Sequence, residues 1–212
     1  GDWSSDVCSS DLVSLLGDRS ANYALTGALS ADITTLDSAT WVGPATGGQW
    51  FDPNNWAPTS NLSALGAVPE ASNVSNVVIP ANSTILFDQT AFGQVDPVNL
   101  LGFSGGSLIL DQGTLTIGGS MVVDDLTLNP NGVLTVGSLS ATGMLNLGAD
   151  LTATNALTLN NITLTQNATL SGANINVLGT IDGAFALTLN SPGVTSINGA
   201  IGLGTALTTL TT

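Results

Sequence analysis

The stretch LILDQGTLTIGGSMVVDDLTL, residues 108–128, sets the pattern on which the rest of the chain is built. It contains four short triplets, each with two apolar residues separated by one other residue: Leu108–Leu110, Leu115–Ile117, Met121–Val123 and Leu126–Leu128. In an extended strand, residues i and i+2 point to the same side and the residue between them points to the other. The triplets therefore predict short strands with one buried face.

Similar triplets continue to the end of the chain and can be sorted by spacing into three series. The first series starts at Leu108, Leu126, Leu145, Ile162, Ile181 and Ile201; the second at Leu115, Leu134, Leu151, Leu170, Leu187 and Leu207; the third at Met121, Leu139, Leu157, Ile175 and Val194. Steps within a series are 17 to 20 residues, and the order of the series never changes. A fixed period of this size is typical of a solenoid.

The predicted fold is all-β: a single-stranded parallel β-helix with three short strands and about 18 residues per coil. One coil cannot bury its inner face alone, so neighbouring coils stack and share a core. A β-sandwich would show hairpin turns and no constant order of strands. The strict left-handed helix of six-residue steps does not fit intervals that alternate between about five and eight, so a right-handed coil is favoured.

The composition is acidic and almost free of cations. The 212 residues include 15 carboxylates and one cation, Arg19, with no histidine, which gives a formal charge of −14. Such a chain lacks the positive charge needed to neutralise nucleic-acid phosphates. No run of 18 apolar residues is present, so direct membrane insertion is not expected. The balance is typical of a β-rich extracellular protein.

Residues 1–12, GDWSSDVCSSDL, resemble the in-frame translation of a common sequencing-adapter oligonucleotide. We interpret them as an artefact and exclude them from fold reasoning. Cys8, the single cysteine, lies in this segment, so the rest of the chain is cysteine-free. The interpretation also predicts that the sequence is a fragment, truncated within the β-helix at its C-terminal side.

Residues 13–40 contain an NYAL…G…A…I run (Asn22–Leu25, Gly27, Ala31, Ile33). The run resembles the closing strands of the MBG/YDG-type repeats of large bacterial surface proteins. The resemblance implies the end of an immunoglobulin-like repeat, and the alternative is a linker.

Residues 41–98 are expected to form a tryptophan-rich cap and the first coils, before the β-helix of residues 99–212. The segment WVGPATGGQWFDPNNW, residues 41–56, holds three tryptophans and is followed by Val68-Pro69 and Val77–Pro80. It resembles the opening segment of β-helical passengers in autotransporters and filamentous-haemagglutinin-like proteins. Bulky aromatic side chains can cover the open end of a solenoid. The alternative function is a sugar-stacking platform formed by Trp50 and Trp56.

The residue types needed for catalysis are largely missing. A β-helical polysaccharide lyase needs a basic residue, and none follows Arg19. A hydrolase needs two suitably spaced carboxylates, for which Asp111 and Asp125 are the only plausible pair. We therefore expect no enzymatic activity, no catalytic residues and no cofactor.

Metal and ice binding are also weakly indicated. The GGxGxD motif of calcium-loaded β-rolls is absent, and Asp150 and Asp182 are interpreted as turn residues, so no metal site is expected. Thr-x-Thr pairs at Thr114/Thr116, Thr152/Thr154 and Thr163/Thr165 do not form one continuous series, which disfavours ice binding.

The segments 179–190 and 199–210, with their I-x-G and ALT motifs, also resemble repeats of these surface proteins. The resemblance implies a secreted protein at the bacterial cell surface, acting as a structural rod or adhesin passenger. Its expected partners are glycans or proteins of a host or neighbouring cell, and an outer-membrane translocator. A glycan-binding β-helix module is the first alternative, and a β-helical polysaccharide hydrolase is the second.

Overall fold

A computed structural model describes residues 35–63, 65–94 and 96–212. One compact unit comprises residues 35–212. The predictions for residues 1–12 and for most of 13–40 lie outside the described residues. The first described strand begins at Leu36, so the unit starts several residues before the predicted boundary at residue 41.

The described chain is built from short strands, with two single-turn 3₁₀ helices at Pro53–Asn55 and Thr90–Phe92. The strands are β1 Leu36–Trp41, β2 Thr46–Gln49, β3 Trp56–Pro58, β4 Val74–Val78, β5 Thr84–Asp88, β6 Val98–Leu100, β7 Gly102–Ser104, β8 Ser107–Val123, β9 Leu126–Leu147, β10 Leu151–Ala153, β11 Ala156–Leu164, β12 Ala168–Ser171, β13 Asn174–Val177, β14 Ile181–Asp182, β15 Ala186–Asn190, β16 Thr195–Ile197 and β17 Thr209–Thr211. Strands β8 and β9 are long because pairing continues around the corners of the coil.

Three strands per coil are visible directly in the partners of β8. Its first part pairs in parallel with β5, its middle with β6 and its last part with β7. One continuous strand thus runs along three successive faces. We name them face A, face B and face C, which in this coil begin at Leu108, Leu115 and Met121. The chain is a β-solenoid of about 7 turns, about 19 residues apart, as the sequence predicted; its handedness stays a prediction.

The predicted series are confirmed through most of the solenoid. On face A, Leu108 pairs with Leu126, and Ile162 lies between Leu145 and Ile181. On face C, Met121, Leu139, Leu157 and Ile175 follow one another in register, which also holds.

Near the C-terminal end the predicted register is wrong on two faces. On face B, Leu170 pairs with Leu189 instead of Leu187, and Leu187 pairs with Leu210 instead of Leu207. On face C, Ile175 pairs with Thr195, not Val194. A slip of one residue moves a side chain to the opposite face of a strand, and Val194 is 68% exposed.

The interior is a single apolar column that changes character along the axis. Aromatic side chains fill the first coils, and Leu, Ile, Val, Met and Ala fill the later ones. The most buried aliphatic residues, such as Leu115 and Leu157, have no exposed surface. Each coil therefore covers the apolar face of its neighbour, and burial of apolar area supplies the main stabilisation.

The N-terminal side of face C ends in an antiparallel pairing. Strand β1 pairs in parallel with β4 on one edge and antiparallel with β3 on the other. The chain reverses direction between β1 and β3, so β3 occupies the edge of β1 that faces away from the coils. An occupied edge cannot recruit another strand. The sequence did not predict this reversal.

Candidate functional site

The two predicted sugar-stacking residues, Trp50 and Trp56, lie inside the solenoid. Both side chains have 0% exposure. Their rings meet edge to face, with centroids 4.8 Å apart. A sugar stacks on an accessible ring face, and neither indole offers one. The structure therefore places these residues in the core and leaves them no stacking surface.

Together with neighbouring rings they form the aromatic cap, which we define as Trp41, Trp50, Phe51, Trp56 and Phe87. Trp56 packs between Trp41 and Trp50, and Trp50 contacts Phe87 at a centroid distance of 5.4 Å. Offset and edge-to-face pairs each add about 0.5–1.5 kcal/mol beyond area burial. The predicted tryptophan-rich cap is present as a packed aromatic core.

Hydrogen bonding within the aromatic cap is uneven. The indole N–H of Trp41 donates to the carbonyl of Pro44 at 3.0 Å, and that of Trp56 donates to the carbonyl of Trp50 at 2.8 Å. The buried Nε1 of Trp50 and Oε1 of Gln49 have no partner among the described residues. A buried donor without a partner costs stability.

The corner side chains form a second set of functional interest. Several aspartates and asparagines that immediately precede an inward apolar residue accept a backbone N–H from the next coil. Asp125 accepts from Met144 at 2.6 Å, and Asn161 accepts from Thr180 at 3.0 Å. The other examples are Asp150 to Thr169, Asn167 to Ala186 and Asn174 to Val194.

Sequence reasoning treated these residues only as turn formers. A signal was present, since each acceptor stands one position before the first inward residue of a strand: Asp125 before Leu126 and Asn161 before Ile162, for example. At that position the side chain points outward at a corner, where the next coil has a backbone N–H to satisfy. These carboxylates and amides therefore join coils.

The bonds between coils have one direction. In the described part of the chain, each side-chain hydrogen bond between successive coils with a defined donor has that donor on the later coil. This holds when the acceptor is a carboxylate, as at Asp182 with the N–H groups of Gly204 and Thr205, and when it is a backbone carbonyl. Each coil thus presents oxygen atoms to the coil that follows.

The proposed hydrolase pair is not brought together. Asp111 lies just past the end of a face A segment, where its carboxylate accepts from the amide of Asn129 at 2.5 Å. Asp125 lies just before the start of the next one. Four residues of extended strand separate the two levels, about 13 Å at the usual rise. Glycosidase carboxylates lie about 5–9.5 Å apart.

A cleft of about 280 Å³ lies beside the first coils, where long loops interrupt the regular period. Its polar lining includes Glu70, Asn73, Gln94 and Asp96, and Phe51 forms part of its wall. Asn73 is held by bonds to the backbone of Val68 and Glu70. Within the described residues no group of three or more metal-ligating side chains occurs.

The outer surface of face B is a nearly uncharged strip. One column of outward residues follows the register of successive coils: Asn99, Thr116, Thr135, Thr152, Ser171 and Asn190. Thr114 and Thr116 belong to this face, whereas Thr163 lies on face A, so the Thr-x-Thr pairs do not form one array. Hydroxyl and amide groups at strand spacing can donate to and accept from an extended ligand.

The part of the chain that the structure describes contains no helix long and apolar enough to cross a membrane. Comparisons of the chain with protein-family models, curated proteins and solved structures found no match.

Proposed function

We propose that the chain is a rigid structural segment of a secreted bacterial surface protein of the filamentous-haemagglutinin or autotransporter-passenger kind. One observation supports this most directly: the corner carboxylates and amides, the groups most suited to chemistry, are used to hold one coil to the next. The role proposed is that of a rod or adhesin passenger that displays other binding parts.

The mechanism is passive. Backbone hydrogen bonds run along the axis, and each added coil lengthens the rod by one strand spacing, about 4.8 Å. The apolar column and the corner bonds resist bending because adjacent coils are joined on all three faces. Length and stiffness are the properties that such a segment contributes.

The cell-surface location can be tested in the producing bacterium. Intact cells are treated with a protease or labelled with an antibody against residues 35–212, and the same is done after permeabilisation. Labelling of intact cells is expected. Signal only after permeabilisation would contradict export.

Glycan binding is the second candidate, and the face B strip favours it because it offers uncharged hydrogen-bonding groups in a regular row. The test is a glycan array with the whole chain and with a triple variant, Thr116→Val, Thr135→Val and Thr152→Val. Valine keeps the branched shape and removes the hydroxyl. Thr158→Val on face C is the matched control.

The rod proposal expects no array signal that the triple variant removes. Specific binding lost in the triple variant and retained by the face C control would establish the second candidate.

A further inference from the structure

The C-terminal end of the solenoid is an unpaired apolar surface. Its last strands are β16 on face C and β17 on face B, with an isolated bridge from Ile181 to Ile201 on face A. Each pairs with the preceding coil, and their outer edges have no partner among the described residues. Free backbone N–H and C=O groups on three faces can pair with another strand.

Apolar side chains surround these edges. Leu203 is 78% exposed, Val194 68% and Ile201 43%, whereas Ile197, Leu207 and Leu210 are partly buried against the core. The equivalent residues of inner coils, such as Leu157 and Ile181, are completely covered. The end is therefore an interrupted core whose next layer is missing.

The charge distribution indicates what can cover this surface. All 15 carboxylates lie at or before Asp182, and residues 183–212 carry no charge at all. Two copies that meet side by side bring many negative charges together, which is unfavourable. Two copies that meet through their C-terminal ends bring only neutral residues into contact.

The opposite end does not offer a matching surface. On face C the outer edge of β1 is already paired with β3. Head-to-tail stacking would leave the C-terminal edge of face C without a free strand to pair with. A contact of like with like through the C-terminal ends is isologous and closes as a two-fold dimer.

We propose that two copies of this chain associate through their C-terminal ends, with strands β16 and β17 and residues Val194, Ile201 and Leu203 in the contact. The partner is a second copy of the same chain, joined by edge-strand pairing and apolar burial. This inference is independent of the proposed surface location.

The test is the mass of the whole chain in solution, measured by light scattering and by analytical ultracentrifugation over a range of concentrations. A monomer–dimer equilibrium is expected, and added salt should not weaken it. Leu203→Asp and, separately, Val194→Asp place like charges across the two-fold contact. Each should raise the dissociation constant by about tenfold or more, as opposed charges of one sign cost several kcal/mol at an interface.

Val133→Asp is the matched control, because Val133 is 52% exposed but lies on face B in the middle of the solenoid. It should dimerise like the parent chain. Circular dichroism checks that each variant keeps its β content. An equimolar mixture of Leu203→Asp and Leu203→Lys chains should restore a dimer that neither forms alone.

A monomer at all concentrations would overturn the proposal. Open-ended oligomers would also overturn it, as would equal loss of dimer in Val133→Asp. Should Leu203→Asp fail to fold, Val194→Asp and the mixing experiment still decide.

Discussion

The indole N–H of Trp56 donates a hydrogen bond of 2.8 Å to the backbone carbonyl of Trp50, and the indole N–H of Trp50 itself has no partner. Both side chains are completely buried. The two tryptophans occupy the same core and differ in whether their polar group is satisfied.

Trp56→Phe should therefore destabilise the chain more than Trp50→Phe. Both substitutions remove ring area, but only the first leaves a buried carbonyl without its donor, which costs about 1–3 kcal/mol. Denaturant unfolding followed by circular dichroism measures the difference. Equal losses, or a larger loss for Trp50→Phe, would show that packing outweighs the hydrogen bond.

Asp125→Ala should lower the free energy of unfolding by about 0.5–1.5 kcal/mol, because the N–H of Met144 loses its acceptor. Asp125→Asn keeps an acceptor oxygen and should recover most of the loss. The pair is compared by thermal and urea unfolding. The role of Asp125 as a link between coils would be refuted by an alanine variant as stable as the parent.

Gly105→Ala should be more harmful than Gly47→Ala. Both glycines have positive φ, +80° and +68°, which costs an alanine about 1–2 kcal/mol. At Gly105 an added Cβ would lie 2.4 Å from the carbonyl oxygen of Ile79, whereas at Gly47 nothing lies within 4 Å.

The clash at Gly105 should add about 1–3 kcal/mol to the backbone cost, as overpacking does elsewhere. Urea midpoints of the two variants provide the comparison. Equal midpoints would mean that the corner at Gly105 relaxes without loss.

Deletion of residues 139–156 should remove one coil cleanly. Leu157 then takes the register of Leu139, its partner in the neighbouring coil, and Leu170 takes that of Leu151. Small-angle X-ray scattering should show a rod shorter by about 4.8 Å, with the β circular dichroism retained.

The matched control deletes only residues 148–156, which removes β10 and places a face C strand where face B is needed. This variant should lose cooperative unfolding. Similar unfolding of both deletions would contradict a fixed three-face register.

Much of the fold follows from the sequence because period and alternation have direct physical meaning. The spacing from Met121 to Leu139 to Leu157 is constant, and each of these residues is inward and buried. The register failed where the loops lengthen: Leu187 pairs with Leu210, a step of 23 residues. Leu207 fitted the expected step better, and nothing local to a leucine reveals how long the preceding loop is.

The burial of Trp50 and Trp56 could not be read from their spacing. Exposure depends on Phe87 and Phe103, which reach the aromatic cap from later coils. Three clustered tryptophans are compatible with a core or with a surface platform until those neighbours are placed. The antiparallel strand β3 was missed for a related reason, since its three residues show no alternation that separates it from a loop.

The single direction of the bonds between coils gives folding an order in time. A coil that has already formed holds oxygen atoms such as those of Asp125 and Asn161 in position, and the coil that follows brings the N–H groups. A chain that emerges from a narrow channel with its N-terminal side first meets a prepared template at every step. The free energy released as each coil docks then opposes the return of the chain into the channel.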